Sequence, residues 1–177
     1  MKATKYMILL VTMVFSWLLL GSLVFPLDNK SNRHSLYGLK EISLLIELPS
    51  ALGDTPRSER QIRNDVELKL RSAGIKVGSM EESVDLPIRP CLYVRVSSIK
   101  PQSGFPCVVP FYVNILLYQE VYLKRDPSIT LLGETWAAGE VVLSETQKAS
   151  SLVRKNIQEL MDSFINAYLS VNPKAGN

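Results

Sequence analysis

Hydrophobic residues follow three patterns along this chain, and the first is an almost unbroken apolar run from Tyr6 to Phe25. Its only interruptions are two serines, one threonine and one glycine. A helix over these residues would be about 30 Å long, which matches the hydrocarbon thickness of a bilayer. Lys2 and Lys5 precede the run. Basic residues on this side predict a cytoplasmic N-terminus, with the rest of the chain across the membrane.

The run is either an uncleaved membrane anchor or a cleaved secretory signal. It is longer than the usual signal core of about 7–15 residues, and no pair of small residues before Pro26 suits a cleavage site. No cysteine lies near its end, which excludes lipidation at that position. The predicted boundaries are an anchor or signal segment over 1–25, a polar linker over 26–38, an exported domain over 39–172 and a tail over 173–177.

The second pattern is an alternation of apolar and polar residues, which is typical of strands with one buried face. Four segments show it, and a short fifth strand is predicted after Gly74. The predicted strands are 39–48, 75–77, 91–99, a long one that ends near Lys124, and 130–143. The buried side of the last strand is assigned to Leu131, Thr135, Ala137, Val141 and Leu143.

The third pattern has a period of 3.6 residues and predicts two amphipathic helices. Ser58 with Gln61 has the capping-box spacing and marks the start of the first helix, which ends at Gly74. Ser144 with Gln147 marks the start of the second helix in the same way. The apolar stripes are Ile62, Val66 and Leu70 in the first helix, and Val153, Ile157, Leu160, Phe164 and Tyr168 in the second.

The order of these elements predicts an α+β fold. One strand and one helix come first, four strands follow, and a helix ends the domain. We expect a mixed, mainly antiparallel sheet of about five strands with both helices packed on one face. An N-terminal transmembrane or signal helix precedes this domain.

The sheet face turned away from the helices is predicted to carry both large aromatic and charged residues. This mixture is typical of protein contacts, so this face and the Pro-rich loop over 101–110 are candidate partner surfaces. The high strand propensity of tyrosine and tryptophan is the alternative explanation. The candidate contact residues are Tyr93, Arg95, Tyr118, Tyr122 and Trp136 on the sheet, and Phe105 in the loop.

Cys91 and Cys107 are the two cysteines of the chain, and an exported domain meets an oxidising compartment. If a simple turn joins the two strands, Cys107 pairs with about Ile99, and Cys91 lies about 26 Å further along. A disulfide needs Cα atoms within about 7 Å of each other. A bridge therefore requires the loop to fold back through Pro106 and Pro110, and two buried free thiols are the alternative.

Composition and charge add mainly exclusions. The 177 residues contain 20 Lys+Arg against 17 Asp+Glu, and Lys2 and Lys5 supply two of the three excess charges. The exported part is nearly neutral, which argues against a nucleic-acid partner. The single histidine, His34, lies in the predicted linker, and the familiar phosphate-binding, nucleophile and metalloprotease motifs are missing. The sequence therefore predicts no enzyme, no cofactor and no metal site.

The order of elements resembles that of small cell-envelope proteins of the LptE type, which are lipopolysaccharide-assembly lipoproteins, and of the ABC-transport auxiliary lipoproteins. The resemblance covers about residues 39–170 and is strongest from Val66 to Val77, where a helix leads into a strand. The chain lacks the lipidated cysteine of those families, so the resemblance implies anchoring by the apolar run. It implies a role in envelope assembly or transport and assigns no functional residue.

These inferences predict a non-enzymatic accessory protein of the cell envelope that binds a protein partner. It would be anchored in the inner membrane through residues 6–25 with its domain in the periplasm, or secreted to the periplasm if the run is cleaved. The alternative is a periplasmic module that binds a lipid or a small molecule, which would need a closed apolar pocket.

Overall fold

The computed structural model describes residues 29–53, 55–78, 89–98 and 108–173. The predicted anchor or signal over 1–25 lies outside these ranges, and within them no helix has the length and hydropathy that a membrane span requires. The elements in chain order are α1 (Lys30–His34), β1 (Glu41–Glu47), α2 (Thr55–Ser72), β2 (Lys76–Gly78), β3 (Cys91–Ser98), β4 (Val108–Leu123), β5 (Asp126–Glu145) and α3 (Ala149–Val171), with short 3-10 helices at Ser50–Leu52 and Thr146–Lys148.

The strands form one five-stranded sheet in the order β2-β1-β3-β4-β5. β1 pairs in parallel with β2 and with β3, whereas β3 with β4 and β4 with β5 are antiparallel. The antiparallel ladders are the longer ones, and that between β3 and β4 runs from Cys91 opposite Tyr118 to Ser98 opposite Phe111. The predicted α+β class and mixed five-stranded sheet are confirmed.

Both long helices pack on the same face of the sheet and share one hydrophobic core with it. The predicted apolar stripes of α2 and α3 are buried throughout. The strand residues that meet them are Ile42, Leu44 and Ile46 on β1, Leu92, Val94 and Val96 on β3, Phe111, Val113, Ile115 and Leu117 on β4, and Trp136, Ala138 and Val142 on β5.

The helix starts differ from the prediction. α2 begins at Thr55, three residues before Ser58, because Pro56 suits the first turn, where its fixed φ and missing N–H cost nothing. The capping box predicted at Ser58 is therefore wrong. The Ser58 hydroxyl instead lies 3.2 Å from the Ser150 hydroxyl on α3. The one predicted at Ser144 is also wrong, since Ser144 belongs to β5. Gly74 follows α2 with a φ of 92°, as its predicted position requires.

Residues 30–38 are part of the folded domain, which corrects their assignment to a plain linker. They form α1 and the turn after it, and Leu36 is fully buried in the core. Asn172, just after α3, holds this turn: its Nδ2 donates to the Leu36 carbonyl (2.8 Å), and its Oδ1 accepts from the Gly38 N–H (2.8 Å). The structured domain therefore includes the segment next to the predicted anchor.

A β-bulge at Thr135 inverts the side-chain alternation of β5. Leu117 pairs with Trp136, but the next residue, Tyr118, pairs with Glu134, so Thr135 is the extra residue. The bulge points Trp136 into the core, where it is fully buried. Its ring packs edge-on against that of Phe164, with the ring centroids 5.1 Å apart. The assignment of Trp136 to the exposed face is wrong, because the alternation was continued through the bulge. Ala137, Val141 and Leu143, assigned to the core, lie on the opposite face for the same reason.

Truncation of the buried indole tests this placement. Trp136→Ala should lower the free energy of unfolding by about 3–5 kcal/mol, because it leaves a cavity beside Phe164. Tyr122→Ala, at a position 67% exposed, should change it by less than about 0.5 kcal/mol. Urea titrations of the two variants measure both values, and wild-type stability of Trp136→Ala would contradict the core assignment.

Asp65 on α2 and Arg154 on α3 join the two long helices across their exposed edge. Arg154 donates from Nε (2.6 Å) and Nη2 (3.0 Å) to the two carboxylate oxygens, and Gln158 adds a third hydrogen bond (3.1 Å). The side-chain hydrogen bond from Arg154, the largest contribution, holds the pKa of Asp65 below its usual value. A bidentate pair of this kind fixes the angle between two helices as well as their contact.

Loss of this pair should have a defined pH dependence. Arg154→Gln should lower the free energy of unfolding by about 1 kcal/mol at pH 7. Because the folded state favours the Asp65 carboxylate, this stabilisation is fully present above the unfolded pKa of about 3.9 and is lost as pH falls through the lower folded pKa. Urea titrations at pH 7 and at about pH 3 should show the difference from wild type shrinking. A loss of equal size at both pH values would contradict the ion-pair explanation, and Lys155→Gln, beside it in an exposed pair with Glu159, is the control.

Candidate binding face

The sheet face opposite α2 and α3, here called the open face, is built from the alternate residues of four strands. The register aligns Leu45, Tyr93, Leu116 and Ala137 in one row across β1, β3, β4 and β5. The neighbouring rows are Ser43, Cys91, Tyr118 and Glu134 on one side, and Glu47, Arg95, Asn114 and Gly139 followed by Ser97, Tyr112 and Val141 on the other.

Two tyrosines form the centre of the open face. The rings of Tyr93 and Tyr118 lie on adjacent strands with centroids 6.4 Å apart and an angle of 43° between their planes. The Tyr93 hydroxyl donates a hydrogen bond to the Glu47 carboxylate on β1. Both contacts restrict the Tyr93 side chain, so it would lose little further freedom if a partner covered it.

An apolar strip continues from this centre toward the end of β5. Val141 and Leu143 are 58% and 66% exposed, and Tyr112 on β4 is 37% exposed beside Val141. The Tyr112 hydroxyl lies over Gly139, where an added Cβ would come within 3.0 Å of its oxygen. Glycine at 139 therefore lets the tyrosine lie across β5 and extends the flat apolar surface.

Asn114 lies under this strip and carries an unsatisfied polar atom. The residue is 7% exposed, and its Oδ1 has no hydrogen-bond partner among the described residues. A buried acceptor without a partner costs about 1–3 kcal/mol. The Oδ1 atom is itself enclosed, so a donor from another molecule could satisfy this acceptor only after the Asn114 side chain rotates toward the surface.

The strip also extends in the other direction, onto a two-stranded arm. β3 begins at Cys91, opposite Tyr118, so within the described residues the arm over 119–133 pairs only β4 with β5. Tyr122 is on this arm, about 14 Å beyond Tyr118 at 3.4 Å per residue. Two-stranded ribbons are marginally stable in isolation. Leu132, opposite Glu120, shares the Tyr122 side of the arm, whereas the exposed Leu131, opposite Val121, lies on the other side.

The predicted contact residues are only partly brought together. Tyr93, Arg95 and Tyr118 share the open face, Tyr122 lies on the arm, and Trp136 is in the core.

Phe105 and Cys107 lie outside the described residues. Cys91 is buried, and because Cys107 is not described, a bridge between the two stays a prediction. Sequence reasoning missed Val141 and Leu143, which only the bulge places on this side.

The described residues hold no group of three or more histidine, cysteine, aspartate or glutamate side chains that could bind a metal ion. The open face itself presents hydroxyl, carboxylate, guanidinium and amide groups around an apolar centre. Such a surface suits recognition by contact and hydrogen bonding.

No protein-family model and no curated protein matches the chain. Among solved structures, PelC from Paraburkholderia phytofirmans, a dodecamer, is 15% identical with a TM-score of 0.42, covering 79% of this chain and 94% of PelC. A minor lipoprotein from Acinetobacter baumannii is 14% identical with a TM-score of 0.36, covering 76% of this chain and 94% of the lipoprotein. Both are distant likenesses.

Removal of the unsatisfied acceptor should stabilise the free domain. Asn114→Leu should raise the free energy of unfolding by about 1 kcal/mol, because an apolar side chain of similar shape needs no partner. Asn156 on α3 is the matched comparison, since its buried Oδ1 also has no hydrogen-bond partner among the described residues. Asn156→Leu should have a similar effect in the same denaturant titration. Destabilisation by Asn114→Leu alone would indicate that the open-face amide is already satisfied.

Proposed function

We propose that the protein is a non-enzymatic accessory protein of the cell envelope that binds a protein partner through its open face. The observation that carries the proposal is the series of exposed and half-buried aromatic and aliphatic side chains from Leu143 to Tyr122, with polar residues between them. It lies on a sheet whose opposite face is already filled by α2 and α3. Exposed apolar surfaces of this extent, when bordered by polar residues, are typical of interaction sites.

The composition of the open face favours a protein over a small molecule. Tyrosine anchors surrounded by polar groups are typical of interface centres, and Arg95 and Glu47 provide such groups next to Tyr93. A lipid or small molecule would need an enclosed apolar pocket. Three grooves lined by described residues, of about 470–540 Å³, are shallow and include charged side chains.

The partner would contribute a hydrogen-bond donor as well as apolar area. Asn114 Oδ1 is the acceptor that lacks a partner in the described part of the chain, and a donor placed there would recover its lost hydrogen bond. This requirement makes the site selective, because a partner with a purely apolar surface would leave the acceptor buried and unsatisfied.

The proposed envelope location depends on the apolar run over 6–25 acting as an anchor or as a secretory signal. Lys2 and Lys5 before the run favour a cytoplasmic N-terminus, which would put Lys30, Arg33 and the domain on the periplasmic side. Fusion of alkaline phosphatase after Asn177 tests the orientation, since that enzyme is active only when exported. High activity in intact cells supports the proposed location, and an inactive fusion excludes it.

Photo-crosslinking in intact cells tests the partner surface. p-Benzoylphenylalanine in place of Val141 or Tyr118 should give a protein adduct of one mass. The same residue in place of Leu68, which is 67% exposed on α2, should give none. Leu68 is the control because it is more accessible than either residue but lies on the helical side.

Second-site variants make the crosslink specific. Tyr93→Ala and Asn114→Leu should each lower the adduct yield about tenfold, which corresponds to about 1.4 kcal/mol of binding free energy. Asn156→Leu should leave the yield unchanged. Equal adducts at Leu68, or a lipid adduct in place of a protein, would contradict the proposal and in the second case favour the lipid-binding module.

A further inference from the structure

We infer that α1 and the adjoining end of α3 form a surface that binds the anionic phospholipid headgroups of the membrane. This inference rests on the anchor proposed above and adds a contact between the folded domain and the bilayer. The surface is a shallow groove of about 540 Å³. Its lining residues are Lys30, Arg33, His34 and Tyr37 from α1 and the turn after it, and Ser170 and Val171 from α3.

The chain length between the apolar run and α1 brings the groove close to the bilayer. Only residues 26–28 separate Phe25 from Asn29, the first residue of the described domain. Even fully extended, this connection spans at most about 14 Å. If residues 6–25 cross the membrane, α1 therefore lies at the headgroup region or directly above it.

The charge of this segment is complementary to anionic lipid. The described residues hold 16 Lys and Arg against 12 Asp and Glu, an excess of four positive charges. The stretch over 26–40, which joins the apolar run to β1, holds Lys30, Arg33 and Lys40 against Asp28, an excess of two positive charges. Basic residues beside a membrane segment gain about 1 kcal/mol each from an anionic surface. The segment next to the membrane would thus carry a net positive charge.

Tyr37 adds a side chain suited to the same location. It is 74% exposed in the turn between α1 and β1, beside the basic groove. Tyrosine is enriched at membrane–water interfaces, because its ring enters the interfacial region while its hydroxyl stays hydrated. An exposed tyrosine next to lysine and arginine is the combination expected of an interfacial contact.

The groove is held rigidly by the rest of the fold. Asn32 Nδ2 donates to the carbonyl of Thr135 at the bulge (2.7 Å), and Gln119 Nε2 donates to the carbonyl of Ser35 (3.1 Å). Asn172 holds the turn after α1 to the end of α3. A surface fixed in this way needs little ordering when it meets the bilayer, so its charges act together.

Chemical labelling of the full chain in nanodiscs tests the inference. The probes are discs of phosphatidylcholine alone and discs with about 30% phosphatidylglycerol. A water-soluble acetylating reagent should modify Lys30 about fivefold more slowly in the anionic discs, as expected from about 1 kcal/mol of added contact. Lys124, at the β4–β5 turn, should react equally in both discs. About 0.5 M NaCl should restore the Lys30 rate, because it shortens the Debye length to about 4 Å.

Variants locate the contact. Arg33→Gln and Tyr37→Ser should each reduce the protection of Lys30 in anionic discs, whereas Arg125→Gln at the β4–β5 turn should not.

Equal labelling of Lys30 in both kinds of disc, with the chain incorporated, overturns the inference while leaving the anchor intact. Failure of the chain to co-elute with either disc overturns the proposed anchor itself. Slower labelling in phosphatidylcholine discs on addition of inorganic phosphate alone would identify a soluble-anion site and overturn the membrane assignment.

Discussion

The extra residue at Thr135 in β5 determines how the two faces of the sheet are used. Before the bulge, Glu134 points to the open face, and after it Trp136 points into the core. Without the inserted residue, the largest buried side chain of the domain would face away from α3, and Val141 and Leu143 would meet the helices instead. The same bulge leaves the Thr135 carbonyl available to accept the hydrogen bond from Asn32 that fixes α1.

Most of the architecture follows from local pattern, and the exceptions have a common physical cause. The stripes of α2 and α3 and the buried face of β4 from Phe111 to Leu117 were predictable, because periodicity directly reports which side is buried. The inversion of the side-chain alternation in β5 was not predictable, because a single inserted residue leaves no signature in the composition of the strand. The packing of α1 was not predictable either, because Leu36 lies in a polar stretch without apolar periodicity. The hydrogen bonds that fix this segment come from Thr135 and Asn172, more than 100 residues away in the sequence.

The sequence was sufficient to predict a contact face of aromatic and polar residues, but only some of the residues that form it. Tyr93 and Tyr118 follow from alternation in β3 and β4, whose register contains no insertion between them. The aliphatic half of the surface, Val141 and Leu143, depends on the bulge. Asn114 could be placed on the open face from sequence, but its unsatisfied Oδ1 is a property of packing that only coordinates reveal.

Stability and binding make opposite demands at the open face. A fold under selection for stability alone would replace Asn114 by an apolar residue and Val141 or Leu143 by polar ones. The chain instead places an unpaired acceptor under an exposed apolar strip, each of which is unfavourable in the isolated domain. Under the proposed function, a partner that covers this face would bury the apolar strip, and its donor would satisfy Asn114 once that side chain rotates toward the surface. Hydrogen bonds join α1 and the turn after it to β4, to the bulge and to Asn172. These bonds would hold the open face at a fixed angle to the membrane, so a partner bound to this face would also be held in a fixed position.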